Sequence, residues 1–340
     1  MARMRIRDIA EQAGVSPATV SRYLNNTPGQ MTEQTRARIA EVIERTGYRP
    51  RTAARNLRRE RSGLLGVIMA DVQNPYSSAM LEQLSAQAAA AGCALMTAFS
   101  GGDAARESEA IERLVDAGVD GLVVNACGGN DEALVRLAAR VPLVLLDREA
   151  EPGGVDVVTS NNGELMRGLV ADLAAAGCTH LALLTERVDV SSPRRERARA
   201  FEQAVRGAQV AGETVVLDED EAKRAAQLDG CMVRTAGGKL GLVAANGLVF
   251  LRLVEALAAF GPALPQGLRV ATFDDYPWNH VLFGGVTTAA QDTEAIAAAV
   301  LERLELRRRR AATAVGEAAR VEAVRIEVPG RILRRASTHR

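Results

Sequence analysis

Histidine and cysteine are scarce in this chain, and neither is placed for chemistry. The three histidines, His180, His280 and His339, have no helical pairing that could grip a metal ion, and Cys93, Cys127, Cys178 and Cys231 are far apart with no C-x-x-C. Four separate thiols beside strands or within helices read as buried, reduced packing residues, so neither a disulfide scaffold nor a metal centre is expected. No G-x-S-x-G elbow and no G-x-G-x-x-G after a strand occurs, and TAGGKL at 235–240 lacks the first glycine and the hydroxyl residue of a phosphate loop. These absences argue against an enzyme and against any cofactor. An apolar run approaching the ~18 residues of a membrane span is also missing, as is a signal-peptide pattern, so the expectation is a cytoplasmic protein with no membrane partner.

The chain lacks a net charge as well, with 42 basic and 42 acidic residues, but the balance is uneven. Residues 1–61 carry 13 arginines against 6 acidic residues, a net of +7, which leaves −7 on the remainder. A basic head suits a polyanion, and an acidic body keeps clear of one. Arginine is strongly preferred to lysine, which favours forked phosphate contacts. At 340 residues and 47% hydrophobic content there is room for two or three domains with sizeable cores.

The head is built around IRDIAEQAGVSPATVSRYLNN, residues 6–26. Ile6, Ile9, Ala10 and Ala13 share one face of a first helix, and Gly14 follows where a chain leaving a helix takes positive φ. Ser16 is the N-cap and Pro17 the first residue of a second helix, with Val15, Val20 and Leu24 turned inward. Pro17, Ala18, Ser21 and Arg22 then face outward, as in a helix that reads DNA. Arg22 can fork onto a guanine edge, and the hydroxyls of Ser16, Thr19 and Ser21 suit phosphates. A third helix starts at Thr32 as N-cap, buries Ile39, Val42 and Ile43, and closes at Gly47.

With TEQTRARIAEVIERTGYRPRTAARNLRR following, this stretch resembles the headpiece of the lactose repressor/galactose repressor family of bacterial transcription regulators through turn, recognition helix, third helix and hinge. The resemblance implies a helix-turn-helix DNA-binding headpiece at 1–49 and a hinge helix or linker at 50–61. It also implies an effector-binding and dimerisation core at 62–340. Arg7, Ser16, Pro17, Ala18, Thr19, Ser21, Arg22 and Asn25 fall at its DNA-contacting positions, with Arg51 and Ala54 in the hinge. Leu57 matches the leucine that wedges a central base step in the minor groove. A segment of about nine residues is too short to be helical alone, so the hinge is expected to order on DNA.

From Leu64 the period switches to strand then helix. LLGVIMA, CALMTAF, GLVVNA and LVLLD read as buried parallel strands of one doubly wound unit, and LALLT, ETVVL, KLGLVAA and LRVATF as those of a second. The fold class is therefore α/β, a small all-α head plus a two-lobed periplasmic-binding-protein-like core of doubly wound parallel sheets. By the resemblance the chain crosses between lobes near Asn161, Gln291 and Val321, giving lobe one about 62–160 and 292–320 and lobe two about 162–290 and 321–336.

Open α/β sheets bind ligands at the carboxyl ends of their strands. Polar groups that packing does not require stand there: Asn74 and Tyr76, Asp147 and Arg148, Asn161 beside Asn162, and Asp274 beside Asp275. The resemblance points these into the cleft, along with Asn246, Gln291 and the arginine of an R-x-x-G-F motif that here reads RERARAF, making Arg197 the match and Ala200 the replacement for glycine. LLTERVDVSSPRRERARAF and FDDYPWNHVLFGGVTTAAQ are most similar to ketodeoxygluconate-type regulators, where a tryptophan matches Trp278. Gly247 and Asn161 depart from the acidic residues many relatives carry there. Two arginines suit a sugar acid as readily as a neutral sugar.

The expected protein is a sequence-specific transcriptional regulator, a repressor released from a palindromic double-stranded operator by a sugar or sugar-acid effector. It would work as a homodimer, or as a tetramer of two such dimers. A regulator needing a corepressor, or an activator, uses the same parts. A sugar-binding transport component would share the two lobes but leave the basic head without a role.

Overall fold

In the computed structural model the described residues are 4–24, 31–48, 61–151, 153–233, 239–258, 264–313 and 322–339. Asn25, the hinge positions Arg51, Ala54 and Leu57, and the expected crossover at Val321 lie outside them. The chain divides into two compact units at Ser62.

Among its described residues the first unit has three helices: α1 (Ile6–Ala13), α2 (Pro17–Leu24) and α3 (Glu33–Thr46). Gly14 and Gly47 close α1 and α3 in the left-handed conformation, φ 64° and 60°, where a side chain would be strained. Ser16 caps α2 by accepting from the Thr19 amide, and Thr32 caps α3 by accepting from Thr35. Ile9, Ala10, Ala13, Val20, Ile39 and Val42 make the small core.

The described residues of the second unit form two six-stranded sheets. Lobe one contains β1 (Leu64–Met69), α4 (Pro75–Ala90), β2 (Ala94–Phe99), α5 (Ala104–Asp116), β3 (Leu122–Val124), α6 (Asp131–Ala138), β4 (Leu143–Leu146) and β5 (Asp156–Ser160). Lobe two follows with α7 (Asn162–Ala175), β6 (His180–Thr185), α8 (Ser192–Gly207), β7 (Ala211–Val216) and α9 (Glu221–Val233). It continues through β8 (Leu240–Ala244), α10 (Gly247–Leu257), β9 (Leu268–Phe273) and β10 (Thr287–Ala290). The chain then returns along α11 (Thr293–Thr313), whose Ile296, Ala297, Val300 and Leu304 join the lobe-one core, and ends in β11 (Arg325–Val328) and β12 (Arg331–Leu333).

The sheet orders, β11-β5-β4-β3-β1-β2 and β12-β10-β9-β8-β6-β7, are the same doubly wound pattern twice. Inner strands such as β4 and β8 are buried at every position because helices cover both faces, which is why they read as continuous apolar runs. Two strands were not legible as such. DVVTS and TTAA are short and half polar, and their polar side chains are buried only because partners take them up.

The C-terminal strands do not both join lobe two. β11 pairs in parallel with β5 in lobe one and only β12 reaches lobe two, antiparallel to β10, so the third crossover falls at Gly330 rather than near Val321. A β-carbon at Gly330 would lie 2.5 Å from the Ala290 carbonyl oxygen, so glycine is required for the backbones to pass. The crossovers are tied together. The Gly330 amide donates to Asn161 Oδ1 at 2.9 Å, and Ser160 Oγ donates to Gln291 Oε1 at 2.6 Å. Near the lobe-one end, Arg303 and Arg307 of α11 both bond Asp156, whose side chain is 1% exposed.

Candidate functional site

Within the first unit, α2 presents Pro17, Ala18 and Arg22 as exposed residues, with Thr19 and Ser21 half-buried beside them. The Ser16 and Thr19 hydroxyls are 2.9 Å apart and bond one another, so the cap is rigid before any phosphate arrives. Arg7 is exposed on α1, and Arg36 of α3 stacks its guanidinium over Tyr23 of α2 at 5.8 Å. An exposed arginine on a helix held by a glycine turn and a three-helix core is what major-groove reading needs.

In the second unit, the carboxyl ends of the two sheets face each other. Tyr76, Arg197, Asp274 and Asn162 are all buried there. Tyr76 is the second residue of α4, placed by the N-cap Asn74, whose Oδ1 accepts from the Tyr76 amide at 3.1 Å. Its hydroxyl is buried and has no hydrogen-bond partner among the described residues. Burial, then Asp147 and Asp274, hold that phenol well above its ordinary pKa.

Arg197, on α8, donates Nε to Asn162 Oδ1 at 2.7 Å and Nη1 to the Ala245 carbonyl at 2.6 Å, and its guanidinium lies 4.0 Å over the Phe273 ring. Asp274 accepts from Gln291 Nε2 at 2.5 Å, with the Gly247 amide near its other oxygen at 3.4 Å. Asp147 Oδ1 is buried with no hydrogen-bond partner among the described residues. Arg148 turns Nη1 onto the Ala126 carbonyl at 3.1 Å. Burial raises the pKa of both aspartates; the nearby Arg197 opposes it at each, and Asp147 raises that of Asp274.

The structure thus brings together Tyr76, Asp147, Arg148, Arg197, Asp274 and Gln291. Asn161 is different: its amide is used at the crossover, accepting from Gly330 and donating to Glu164 at 2.6 Å, and it is Asn162 that turns inward to Arg197. Asn246 caps α10 through the Val249 amide and donates to Glu186, so it orders the wall. Trp278 stacks on Tyr276 with ring centroids 4.8 Å apart and leans on the lobe-two core, its buried indole N–H without a hydrogen-bond partner among the described residues.

Glu186, Arg194 and Tyr276 were not anticipated from sequence. Arg194, with 13% of its side chain exposed, bonds Glu186 at 2.5 Å, and burial lowers its pKa despite that partner, with Arg148 and Arg197 adding repulsion. Glu186 directly follows β6, so the strand-end rule that found Asp147 would have found it too. Arg194 carries no such signal inside the run SPRRERAR, where four arginines look alike.

A three-helix head with an exposed reading helix, followed by two doubly wound lobes facing across polar strand ends, defines a DNA-binding regulator with a periplasmic-binding-protein-like core. The profile of bacterial regulatory proteins of the lacI family matches residues 5–51, and that of the periplasmic binding protein domain matches 65–304. The HTH-type transcriptional regulator PtxS of Pseudomonas plecoglossicida is 32% identical over 89% of this chain and 90% of its own. The HTH-type transcriptional regulator KdgR of Bacillus subtilis is 30% identical over 88% and 89%. In fold, the lac repressor dimer bound to operator and the anti-inducer ONPF superposes with a TM-score of 0.82 at 20% identity, covering 99% of both chains. The protein belongs to the lacI family and is a transcriptional regulator. Among the described residues no helix is long and apolar enough to cross a membrane.

Proposed function

We propose that the protein is a homodimeric repressor whose grip on a palindromic operator is set by a sugar acid, or a sugar, held between the two lobes. The observation that carries this reading is the set of buried polar groups at the strand ends. Among the described residues the Tyr76 hydroxyl and Asp147 Oδ1 have no hydrogen-bond partner, and they lie near Asp274, Arg148 and Arg197. Carboxylates accept from vicinal hydroxyls and aromatic faces cover a sugar ring. Among the described residues Arg194 pairs with a carboxylate, Glu186, while Arg148 and Arg197 bond amide and carbonyl oxygens and keep positive charge and further N–H groups for a ligand carboxylate. The operator-bound lac repressor dimer supports the paired arrangement.

In mechanism, each Arg22 reads a base edge in one half-site, and the hinge leucine Leu57 wedges the dyad. Ligand uptake favours one lobe arrangement over the other and so changes the separation of the paired heads. Coupling of this kind is about 1–3 kcal/mol per site. A thermal-shift screen of six-carbon aldonic and keto-acid sugars against the parent neutral sugars tests the effector. A rise in Tm with a sugar acid that disappears in Arg197→Ala supports the reading, and no shift with any of them counts against it.

A further inference from the structure

The lobes also meet on one flank of the cleft, through groups the ligand reading does not use. Arg325 lies on β11, the edge strand of lobe one. Its guanidinium reaches Glu149, just after β4 in the same lobe, and Glu196 on α8 of lobe two at 2.5 Å. Glu327, two residues along the same strand and so on the same face, also contacts it. One cation is therefore set among three carboxylates that belong to both lobes. Beside it Arg195 of α8 bonds Glu151 of lobe one at 2.5 Å, and the Glu149 amide donates to Ser192 Oγ at 2.9 Å, again from lobe to lobe. The backbones touch here too: a β-carbon on Gly128 of lobe one would lie 3.2 Å from the Val190 carbonyl oxygen of lobe two.

We propose that Arg325 is the centre of an ion-pair latch that holds the two lobes together and sets the balance between closed and open cleft. Without its charge, Glu149 and Glu196 face each other as like charges across the boundary, and attraction turns to repulsion. The Glu196 carboxyl already shows this tension: burial raises its pKa, Arg325 lowers it, and Glu149 raises it again. Arg325, Glu149 and Glu196 are about one-third exposed and Glu327 about half, so salt screens them and the balance becomes sensitive to ionic strength. Nothing in this depends on what the cleft binds.

Hydrogen–deuterium exchange on the full-length protein tests it, because the Glu149 amide reports the lobe-to-lobe bond directly. Arg325→Ala should speed exchange in the segment 147–151 about tenfold at low salt, and raising salt should speed it in the wild type but not in the variant. Adding Glu149→Gln and Glu196→Gln to Arg325→Ala should slow it again by removing the repulsion. Amides of β3 and β8, at the sheet centres, should stay as they are in every case. The same exchange rate and salt response in Arg325→Ala and wild type would overturn the latch, as would equal acceleration in β3 and β8. If Arg325→Ala does not fold, Glu196→Gln decides alone: faster exchange at 147–151 supports the latch and an unchanged rate overturns it.

Discussion

Asp147 and Asp274 directly follow the fourth strand of their respective lobes in the same left-handed backbone conformation, φ 66° and 68°. Each also donates its amide to the next strand, Asp147 to the Val158 carbonyl and Asp274 to the Ala289 carbonyl. Non-glycine residues take this conformation at a cost, and Asp and Asn tolerate it best. The duplicated lobes thus use one device twice to turn a carboxylate inward.

Because burial raises the pKa of both carboxyls, the folded state disfavours their charged form. A raised folded pKa contributes stability below the unfolded value that is lost as pH rises through the folded one. Asp147→Asn and Asp274→Asn, which keep the backbone conformation accessible, should therefore raise Tm by a few degrees at pH 7. That gain should fade below about pH 4, where the wild-type aspartates are protonated in either state. Calorimetry across pH checks this, and both variants should lose the response to effector.

Arg197 should resist even conservative replacement. Lysine cannot reproduce a fork that reaches Asn162 and the Ala245 carbonyl while stacking on Phe273. Arg197→Lys is expected to cost about 2–3 kcal/mol in denaturant unfolding and to abolish effector-induced stabilisation, while affinity for operator DNA stays near the wild-type value.

Asp156 should show the opposite pH behaviour. Burial alone would raise its pKa, but hydrogen bonds from Arg307 and Arg303 and from the Val324 amide hold the carboxyl below its ordinary value. A depressed folded pKa gives stability present above the unfolded value and lost as pH falls through the folded one. Asp156→Asn should destabilise the core by about 3–5 kcal/mol at pH 7, since it leaves two arginines without their carboxylate. The difference from wild type should shrink in acid, as urea titrations at pH 7 and pH 3 would show.

Arg22→Ala should lower affinity for the operator by roughly 10- to 100-fold, the worth of one forked guanine contact. Binding to unrelated duplex should fall much less. Fluorescence anisotropy with both DNAs separates the two, and equal losses would mean that Arg22 holds phosphate instead of reading a base.

The head could be read almost to the residue, because Gly14, Ser16, Pro17, Thr32 and Gly47 are local signals that act through the backbone alone. The inner strands were equally plain, being apolar throughout. What local pattern could not show was anything decided by long-range partners. β5 and β10 each place a polar side chain against a residue more than 40 positions away, Asp156 with Arg303 and Thr287 with Thr338. The choice between Asn161 and Asn162 turns on which faces α8, and neighbouring asparagines look alike in sequence. β11 was assigned to the wrong lobe because Gly330, not the segment near Val321, is where the backbones must pass.

The most direct measurement is the salt dependence of duplex binding by the full-length protein, using DNA from its own upstream region. Affinity should fall steeply and linearly on a log–log scale, by about 10³-fold or more between 50 and 200 mM salt, and a sugar-acid effector should weaken operator binding at fixed salt. No binding, or affinity that is flat with salt, would contradict a DNA-binding regulator of this design.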